Sequence, residues 1–250
     1  MTPRACIRHA LLIHGAGAGG WEWNLWQDVL RSRGLGTVAP DLRPAPEGLA
    51  ATTLDHYRRQ VRAELEALPR PRAVIGASLG GLLAWLCADL ADAVVLINPL
   101  PPAPWAARLP ARDWPEVVPW RRDARLASTR RAMDDADEAA ALYAFRRWRD
   151  ESGAVLREAH AGVEAPAVEM PAVEMPAVKM PVVEMPAVEV PVLCIVSQRD
   201  DDVAPELSAQ FAAAIGAILL PWPTPSHVGP LLGRDAARLA AQAADWLSAR

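Results

Sequence analysis

The sequence predicts an α/β fold, in which a doubly wound and mostly parallel sheet carries a helical cap insertion. Three observations support this prediction: short aliphatic runs recur along the chain, helix-length segments separate them, and one long block has only helical patterns. Unbroken apolar runs are typical of parallel strands that helices cover on both faces. The 250 residues, of which 52% are hydrophobic, are enough for one domain with a large core.

Six apolar runs bounded by turn residues are predicted to be buried parallel strands. They are residues 10–13, 37–39, 73–75, 93–97, 192–196 and 218–220. Helix-length segments lie between most of these strands, and a last one closes the chain. The predicted helices are residues 22–33, 54–68, 82–91, 205–215 and 235–249. This alternation predicts that residues 1–99 and 191–250 together form the core of the fold.

The alternation stops between residues 100 and 165, where the sequence predicts no strand. Residues 137–149 have an amphipathic helical pattern that places Leu142, Phe145 and Trp148 on one side. We therefore expect residues 100–165 to form a helical cap on the sheet.

A tandem repeat of PAVEM follows, with a proline at every fifth position. Proline at this spacing excludes a regular helix and a central strand. Residues 166–190 are therefore predicted to be a solvated, semi-rigid linker. Two alternatives stay open: an unrecognised local fold, and a docking strip for a protein partner, in which methionines provide adaptable contacts. Those methionines are Met170, Met175, Met180 and Met185.

The charge balance argues against a nucleic-acid partner. The chain has 26 Lys plus Arg against 30 Asp plus Glu, which provides no basic surface for a phosphate backbone. Its apolar stretches are too short for a membrane-spanning helix. The stretch behind Arg4 and Arg8 ends at His14, too soon for the core of a signal peptide. We expect a cytoplasmic protein without a membrane span.

The three cysteines, Cys6, Cys87 and Cys194, are far apart in the sequence, and two of them lie in apolar runs. This pattern favours reduced packing residues over disulfide-bonded or catalytic ones. The sequence indicates neither a metal site nor a cofactor.

The strongest motif is Gly-x-Ser-x-Gly at Gly76, Ser78 and Gly80. It follows an apolar strand and precedes a helix rich in Leu and Ala, which is the context of a nucleophile elbow. A serine at so sharp a turn needs small residues two positions away on each side, and the two glycines provide them. The helix N-terminus behind Ser78 also favours developing negative charge. The alternative is a glycine-rich turn that packs a helix on a strand.

A second motif, HGAGAGGWEW at residues 14–23, directly follows the first predicted strand. Acyl transfer needs two N–H donors about 3 Å from the developing oxyanion, and glycines allow a loop to aim its amides inward. The candidate donors are the N–H groups of Ala16 and Leu79. The alternative, a phosphate-binding loop, lacks the Lys-Ser/Thr pair of a P-loop and a clearly placed ribose-binding acid.

His227 lies in a loop after the last predicted strand, where its side chain can reach over the carboxyl edge of the sheet. This position makes it the candidate general base. The orienting acid is expected at the end of the preceding strand, residues 192–196. Three aspartates, Asp200, Asp201 and Asp202, follow that strand, and position alone leaves the choice among them open.

The chain order of these groups, nucleophile, acid and histidine, resembles that of the α/β-hydrolase superfamily. The sequences HGAGAGGWEW and APDL, at residues 14–23 and 39–42, are most similar to the branch with small plant methylesterases, hydroxynitrile lyases and related bacterial esterases. The Asp-x-x-Val spacing of that branch implies Asp200, before Val203, as the acid. The other two aspartates are then expected to be solvated neighbours.

Some relatives carry the acid one strand earlier, where this chain has Asn98. An amide cannot stabilise an imidazolium as a carboxylate does, which supports Asp200. Two features depart from the family pattern. The leading hairpin of the fold is expected to be missing or reduced, and the proline repeat lies where relatives have a short link.

Together these residues imply a serine hydrolase that cleaves a small or medium apolar carboxylic ester through an acyl-enzyme intermediate, with no cofactor and no metal. Ser78 is the nucleophile, His227 the base and Asp200 the orienting acid. Four tryptophans in the Gly-rich loop or the cap are candidates for the walls of the substrate pocket, with ordinary packing as the alternative for each. They are Trp21, Trp23, Trp105 and Trp120.

A carbon-carbon bond hydrolase and an amidase stay open as alternatives, because both use the same triad. A catalytically silent binding protein is the alternative from another class, but it predicts decay of the triad or of the loop glycines, and neither is visible in the sequence. Hydroxynitrile lyases of the resembling branch use a cap lysine. The single lysine of this chain, Lys179, lies in the repeat, which argues against a lyase.

Overall fold

The computed structural model describes residues 6–164 and 190–250. The predicted linker or docking strip at residues 166–190 lies, except for Val190, outside the described residues.

The strands of the described residues form one large sheet and one small one. In chain order they are β1 (His9–Ile13), β2 (Gly36–Val38), β3 (Arg72–Ala77), β4 (Ala93–Ile97), β5 (Val117–Val118), β6 (Glu151–Ser152), β7 (Val192–Ser197) and β8 (Ile218–Trp222). The large sheet has the order β2-β1-β3-β4-β7-β8, and all of its pairs are parallel. This confirms the predicted parallel sheet, whose loops after β1, β3, β4 and β7 meet at one edge.

Helices cover both faces of the large sheet. In chain order the helices are α1 (Asn24–Ser32), α2 (Leu54–Ala67), α3 (Leu79–Leu86), α4 (Leu126–Ala132), α5 (Glu138–Phe145), α6 (Gly153–Ala161), α7 (Pro205–Ala214), α8 (Gly229–Leu232) and α9 (Ala236–Ser248). Helix α3 begins three residues before the predicted start, directly after Ser78, because glycines at its first turn hide the helical pattern in the sequence.

The strand residues alternate between two hydrophobic clusters, one on each face of the sheet. In β1, Leu11 and Ile13 pack in the cluster under α2, α3 and α7, whereas Ala10 and Leu12 pack in the cluster under α1 and α9. Both faces of the central strands are therefore buried, as a continuous apolar run requires. Cys87 and Cys194 lie inside the first cluster, as predicted, and burial raises the pKa of each thiol to about 12. Cys6 is exposed, so the packing role predicted for it is wrong.

The two edge strands are less buried than the sequence predicts. Val38 in β2 is 38% exposed, and Ile218 and Leu219 in β8 are 49% and 39% exposed. An edge strand has a neighbour on one side only, so part of its apolar run stays uncovered. The prediction that all six strands are buried is therefore wrong for β2 and β8.

The cap segment, which we define as residues 100–164, contains α4, α5 and α6, and also a short antiparallel ladder that the sequence did not predict. In that ladder Val117 pairs with Ser152 and Val118 with Glu151. Two residues per strand are too few to show an alternating pattern, which explains the miss. The predicted helix at residues 137–149 is shorter, since α5 ends at Phe145 and buries Ala141 and Ala144 in place of the predicted face.

Main-chain hydrogen bonds hold the described residues on both sides of the repeat. On the cap side, the N–H of Ala103 donates to the carbonyl of Val163 at 3.0 Å. On the sheet side, the N–H of Val94 donates to the carbonyl of Pro191 at 3.0 Å, which extends the ladder between β4 and β7. Both anchors belong to well-packed parts of the fold. Within the described residues, no helix is long and apolar enough to cross a bilayer.

Candidate active site

Ser78 stands on a strained turn between β3 and α3. Its φ of 54° and ψ of −119° lie in a region that residues other than glycine rarely adopt. A Cβ atom on Gly76 would lie 2.0 Å from the carbonyl oxygen of Gly80, and one on Gly80 would lie 2.1 Å from that of Ile13. Both glycines are therefore required by close backbone contacts. Strain of this kind costs about 1 to 3 kcal/mol and is typical of functional sites.

The backbone of Ser78 is fixed by hydrogen bonds to the next strand and its loop. Its N–H donates to the carbonyl of Ile97 at 3.0 Å, and its carbonyl accepts from Gly81 at 2.9 Å and from Leu100 at 3.0 Å. These bonds tie the turn to the carboxyl end of β4. The serine is therefore held by the rigid centre of the sheet.

Asp200 and His227 are joined by a hydrogen bond of 2.7 Å between Oδ2 and Nδ1. The other carboxylate oxygen, Oδ1, accepts from the main-chain N–H groups of Asp202 at 2.9 Å and of Val203 at 3.1 Å. Asp200 is only 7% exposed. A buried carboxylate that accepts several N–H groups is fixed in orientation, so it holds the Nδ1 edge of the imidazole in place.

The pKa of His227 is raised above its ordinary value. Burial alone would lower it, but the charge of Asp200, the hydrogen bond that the imidazole donates to Asp200, and the charges of Asp202 and Glu22 together outweigh burial. Because Nδ1 is occupied by Asp200, Nε2 is the nitrogen left for proton transfer. Among the described residues there is no hydrogen bond between His227 and the Oγ atom of Ser78, although both residues follow strands that end at the same edge of the sheet.

Asn98 clamps the loops around this pair. Its Nδ2 donates to the carbonyl of His227 at 2.7 Å and to Oγ of Ser197 at 2.8 Å, and its Oδ1 accepts from the N–H of Ser197 at 2.8 Å. It has a φ of 42°, which asparagine tolerates better than most residues. The sequence singled out Asn98 only as a residue unsuited to be the acid. The structure places it between the ends of β4 and β7 and the histidine loop.

Some N–H groups of the Gly-rich loop after β1 are paired, whereas others, those of Ala16 and Gly19 among them, have no acceptor within the described residues. Gly15 donates to Glu22, Gly17 donates to Glu151, and Ala18 donates to the carbonyl of Gly15. Among the described residues, the N–H of Ala16 has no acceptor. The N–H of Leu79, at the first position of α3, has none either, as is usual for the first turn of a helix.

His14 orients the peptide that carries the free N–H of Ala16. Its Nε2 accepts from the N–H of Leu42 at 2.9 Å, so this nitrogen carries no proton, and Nδ1 donates to the carbonyl of Gly15 at 2.7 Å. Burial lowers the pKa of His14 to about 4, which keeps the ring neutral. In a trans peptide the C=O and N–H point in opposite directions, so His14 turns the N–H of Ala16 away from itself.

Two of the four predicted pocket tryptophans, one from the Gly-rich motif and one from the cap segment, lie where these two parts of the chain meet. Trp21 packs edge-on against Tyr143 and Trp148, with ring centroids 5.8 and 5.3 Å apart. Trp120 covers Gly17 so closely that a Cβ atom there would lie 2.3 Å from its ring. Both rings are partly exposed beside the loop that contains Ala16.

The other two tryptophans have different surroundings. Trp23 has no exposed surface and packs against Trp26 with centroids 5.7 Å apart, which places it in the core and not at a pocket wall. Trp105 packs on Phe211 of α7 at 5.4 Å and is partly buried against the core. The position of Trp23 was missed because its helical turn of 4 residues is too short for a periodic pattern to show which side is buried.

Two buried glutamates support the Gly-rich loop, and sequence reasoning assigned a role to neither. Glu22 is 3% exposed and accepts from the N–H of Gly15 at 3.1 Å. Glu151 is 2% exposed and accepts from Gly17 at 3.0 Å and from the hydroxyl of Tyr57 at 2.9 Å. Glu22 could have been noticed in the sequence, because it is an acidic residue between two tryptophans. The partner of Gly17 lies 134 residues away, and no local pattern indicates it.

The cap segment also contacts the histidine loop. Oγ of Ser226 donates to Oδ1 of Asp135 at 2.6 Å, and the N–H of Arg234 donates to the carbonyl of Asp135 at 3.2 Å. A cap residue is thus joined to the residue directly before His227. Of the two aspartates predicted to be solvated, Asp202 pairs with the cap residue Arg112 at 2.8 Å.

No group of three or more His, Cys, Asp or Glu side chains within residues 6–164 and 190–250 is arranged to hold a metal ion. The residues gathered at this edge are a strained serine, a histidine paired with a buried carboxylate, and main-chain N–H groups without an acceptor among the described residues.

Comparison with known proteins gives a family match over most of the chain. The model of a family described as the alpha/beta hydrolase family matches residues 10–242. A search of curated protein sequences found no match.

Solved structures share the fold at low sequence identity. A pyrethroid hydrolase from Sphingobium faniae JZ-2 has a TM-score of 0.69 and 20% identity, and the match covers 96% of this chain and 97% of that chain. Polyneuridine aldehyde esterase has a TM-score of 0.68 and 16% identity, with coverage of 97% and 99%. A methylesterase from Arabidopsis has a TM-score of 0.65 and 13% identity, with coverage of 96% and 99%.

Proposed function

Because the chain belongs to the alpha/beta hydrolase family, we propose that it is a serine hydrolase that cleaves small or medium apolar carboxylic esters through an acyl-enzyme intermediate. The observation that carries the proposal is the hydrogen bond of 2.7 Å between Asp200 and His227, beside the strained turn of Ser78. Similar structures bear the names of an ester-cleaving enzyme and a methylesterase, which is consistent with this reaction class.

In the first half of the reaction, Oγ of Ser78 attacks the ester carbonyl carbon, and Nε2 of His227 takes the serine proton. Asp200 accepts from Nδ1–H and stabilises the imidazolium that forms. The tetrahedral intermediate then collapses, the bond to the alcohol oxygen breaks, and His227 returns the proton to that oxygen. The acyl group stays on Ser78, and the alcohol leaves.

In the second half, water gives a proton to His227 and adds to the acyl carbonyl. The bond to Oγ of Ser78 breaks, the proton returns to the serine, and the carboxylic acid leaves. The net reaction is ester plus water to acid plus alcohol, and every group of the protein returns to its starting state.

The N–H groups of Ala16 and Leu79 are proposed to stabilise the oxyanion in both halves. Each N–H lacks an acceptor among the described residues. Because His14 binds the carbonyl of Gly15, the N–H of Ala16 in the same peptide points away from the His14 ring. Loss of one such donor in a serine hydrolase costs about 3 kcal/mol of transition-state stabilisation. These two amides are thus suited to the charge that develops on the carbonyl oxygen.

The partly exposed rings of Trp21 and Trp120 are proposed to form apolar walls beside the Gly-rich loop. Aromatic rings at this position favour an apolar acyl or alcohol group over a charged one. The preference for apolar esters rests on these two side chains.

Covalent labelling tests the proposal without a guess about the substrate. The wild type, Ser78→Ala and the control Ser32→Ala, which changes an exposed serine of α1, are treated with a fluorophosphonate and analysed by intact mass. We expect one adduct on the wild type and on Ser32→Ala and none on Ser78→Ala. The wild type and the control should also hydrolyse p-nitrophenyl esters. A folded wild type that forms no adduct and cleaves no ester would refute the proposal in favour of a binding protein.

A further inference from the structure

The cap segment reaches the Gly-rich loop through Glu151, a buried carboxyl group of β6 that the acyl transfer described above does not use. It is 2% exposed, and its Oε2 accepts from the N–H of Gly17 at 3.0 Å. A main-chain bond runs beside this contact, since the N–H of Arg149 donates to the carbonyl of Gly17 at 2.7 Å. Residues of the cap segment therefore hold both polar main-chain groups of Gly17.

The peptide that Glu151 holds directly follows Ala16, and the peptide that His14 holds directly precedes it. The first contact is to the N–H of Gly17, and the second, from Nδ1 of His14, is to the carbonyl of Gly15 at 2.7 Å. Because each peptide is planar, the backbone of Ala16 turns only about the two bonds between these peptides. The direction of its N–H is thus fixed from the sheet side and from the cap side.

Glu151 is itself held by two further donors. Its Oε1 accepts from the hydroxyl of Tyr57 in α2 at 2.9 Å and from the N–H of Ser152 at 2.8 Å. Its main chain is part of the ladder with β5. A turn of the carboxyl group would leave buried donors unpaired, which is costly. The oxygen that faces Gly17 therefore stays in place.

A second contact links the same part of the cap segment to His14. The guanidinium of Arg149, two residues before Glu151, donates to the carbonyl of Leu42, and the N–H of Leu42 donates to Nε2 of His14 at 2.9 Å. The cap segment therefore supports the peptide after Ala16 directly and the peptide before it through Leu42.

We propose that Glu151 is a positioning residue of the acyl transfer: from the cap segment it holds the peptide after Ala16, so that the N–H of Ala16 is aimed at the developing oxyanion. This inference rests on the proposed serine hydrolase function. Donors to an oxyanion are effective when they are in place before the charge forms. The cap segment thereby takes part in the chemical step.

The test removes the acceptor oxygens of Glu151. Glu151→Met introduces an unbranched apolar side chain of similar length, which leaves the N–H of Gly17 without its acceptor. For a p-nitrophenyl ester we expect kcat to fall roughly tenfold to a hundredfold with KM within about twofold, because the oxyanion forms only in the transition state. If Glu151→Met does not fold, Glu151→Asp replaces it, since a shorter side chain draws the carboxylate away from Gly17, and kcat should fall at least about fivefold.

Inhibition by an aryl trifluoromethyl ketone separates positioning from a general loss of structure. Oγ of Ser78 adds to the carbonyl carbon of the ketone, His227 takes the serine proton, and the negative charge stays on the ketone oxygen. We expect the inhibition constant to rise by the same factor by which kcat/KM falls. A merely structural role of Glu151 would reduce the number of active molecules and leave the inhibition constant unchanged.

Two variants are matched controls. Glu151→Gln has an amide oxygen that can accept from Gly17 and an NH₂ group that can donate to the hydroxyl of Tyr57, so we expect it to be at least about tenfold more active than Glu151→Met. Tyr57→Phe removes the other side-chain partner of Glu151 and keeps the contact with Gly17. Its kcat should stay within about twofold of the wild type.

Amide hydrogen exchange, followed by NMR, tests the contact without turnover. The N–H of Gly17 should exchange at least about tenfold faster in Glu151→Met than in the wild type and in Tyr57→Phe.

Activity and ketone inhibition of folded Glu151→Met equal to those of the wild type would overturn the inference, and so would an equal loss of activity in Tyr57→Phe. A wild type that forms no fluorophosphonate adduct and cleaves no ester would instead refute the serine hydrolase proposal. Faster exchange of Gly17 in Glu151→Met would then still show that Glu151 holds the loop, so the two failures are distinguishable.

Discussion

The side-chain amide of Asn98 donates a hydrogen bond of 2.7 Å to the main-chain oxygen of His227. The same amide holds Ser197 at the end of β7, the strand that leads to Asp200. One side chain therefore sets the distance between the loops that carry the proposed base and the proposed acid. Oγ of Ser197 also accepts from the hydroxyl of Thr224 at 2.8 Å, which extends this network toward the histidine loop.

Replacement of Asn98 tests this clamp. Asn98→Gly keeps the positive φ accessible but removes all three hydrogen bonds of the side chain. We expect kcat to fall roughly tenfold to a hundredfold and the free energy of unfolding to fall by about 2 to 4 kcal/mol. Ester hydrolysis and urea unfolding measure the two effects. Activity equal to the wild type would show that His227 keeps its place without the clamp.

Asp200→Asn removes the charge of the proposed orienting acid and is expected to leave the fold intact. The oxygen of the introduced amide can still accept from the N–H groups of Asp202 and Val203, so the loop should stay folded. Loss of the carboxylate should lower kcat about 10⁴-fold, as measured for a serine hydrolase with an established Ser-His-Asp triad. The control is Asp201→Asn, which changes an exposed neighbour and should keep activity within about twofold of the wild type. A comparable loss in both variants would argue against Asp200 as the acid.

His14→Ala tests the orientation of the oxyanion loop. The variant frees the carbonyl of Gly15 and the N–H of Leu42, so we expect kcat to fall roughly tenfold to a hundredfold. The pKa of His14 is lowered to about 4, so its ring is neutral throughout the active range and the loss should be the same at every pH tested. His9→Ala, at the opposite end of β1, is the control. A loss that varied with pH would contradict a purely orienting role.

Glu22→Gln is expected to stabilise the protein at neutral and alkaline pH. Burial raises the pKa of Glu22 from an ordinary 4.5 to about 7, so the folded state binds this proton over a range where the unfolded chain releases it. Stability of the wild type therefore falls as the pH rises through that range. The variant lacks this loss and should be more stable by about 3 kcal/mol above roughly pH 8, with the difference vanishing near pH 4.

Denaturant unfolding of the two proteins across the pH range measures this difference. A constant difference at all pH values would show that the carboxyl group does not titrate with an elevated pKa.

Much of the sheet could be predicted from the sequence because covered parallel strands need unbroken apolar runs. β4 begins and ends where predicted, and the other five strands of the large sheet differ by one or two residues at one or both ends. The edge strands β2 and β8 were predicted equally well in position but not in burial. The exposure of a strand depends on the strands and helices that pack beside it, and a local sequence pattern carries no information about them.

The candidate site could likewise be predicted only in part. Ser78, Asp200 and His227 could be found because each follows or precedes a strand end in a recognisable motif. The supports of the site could not, because they join distant parts of the chain: 99 residues separate Asn98 from Ser197, and 91 separate Asp135 from Ser226. Contacts at that separation leave no periodic signal in the sequence.

The two main-chain anchors beside the repeat have a consequence for how this chain can evolve. Val163 is held by Ala103, and Pro191 is held by Val94, so the geometry of the proposed site is fixed on both sides before the repeat begins and after it ends. Tandem copies of five residues are readily gained and lost during replication. Here such slippage changes the length of the connection between the anchors without shifting the register of β7. A change in the number of copies is therefore expected to leave the geometry of the proposed site unchanged.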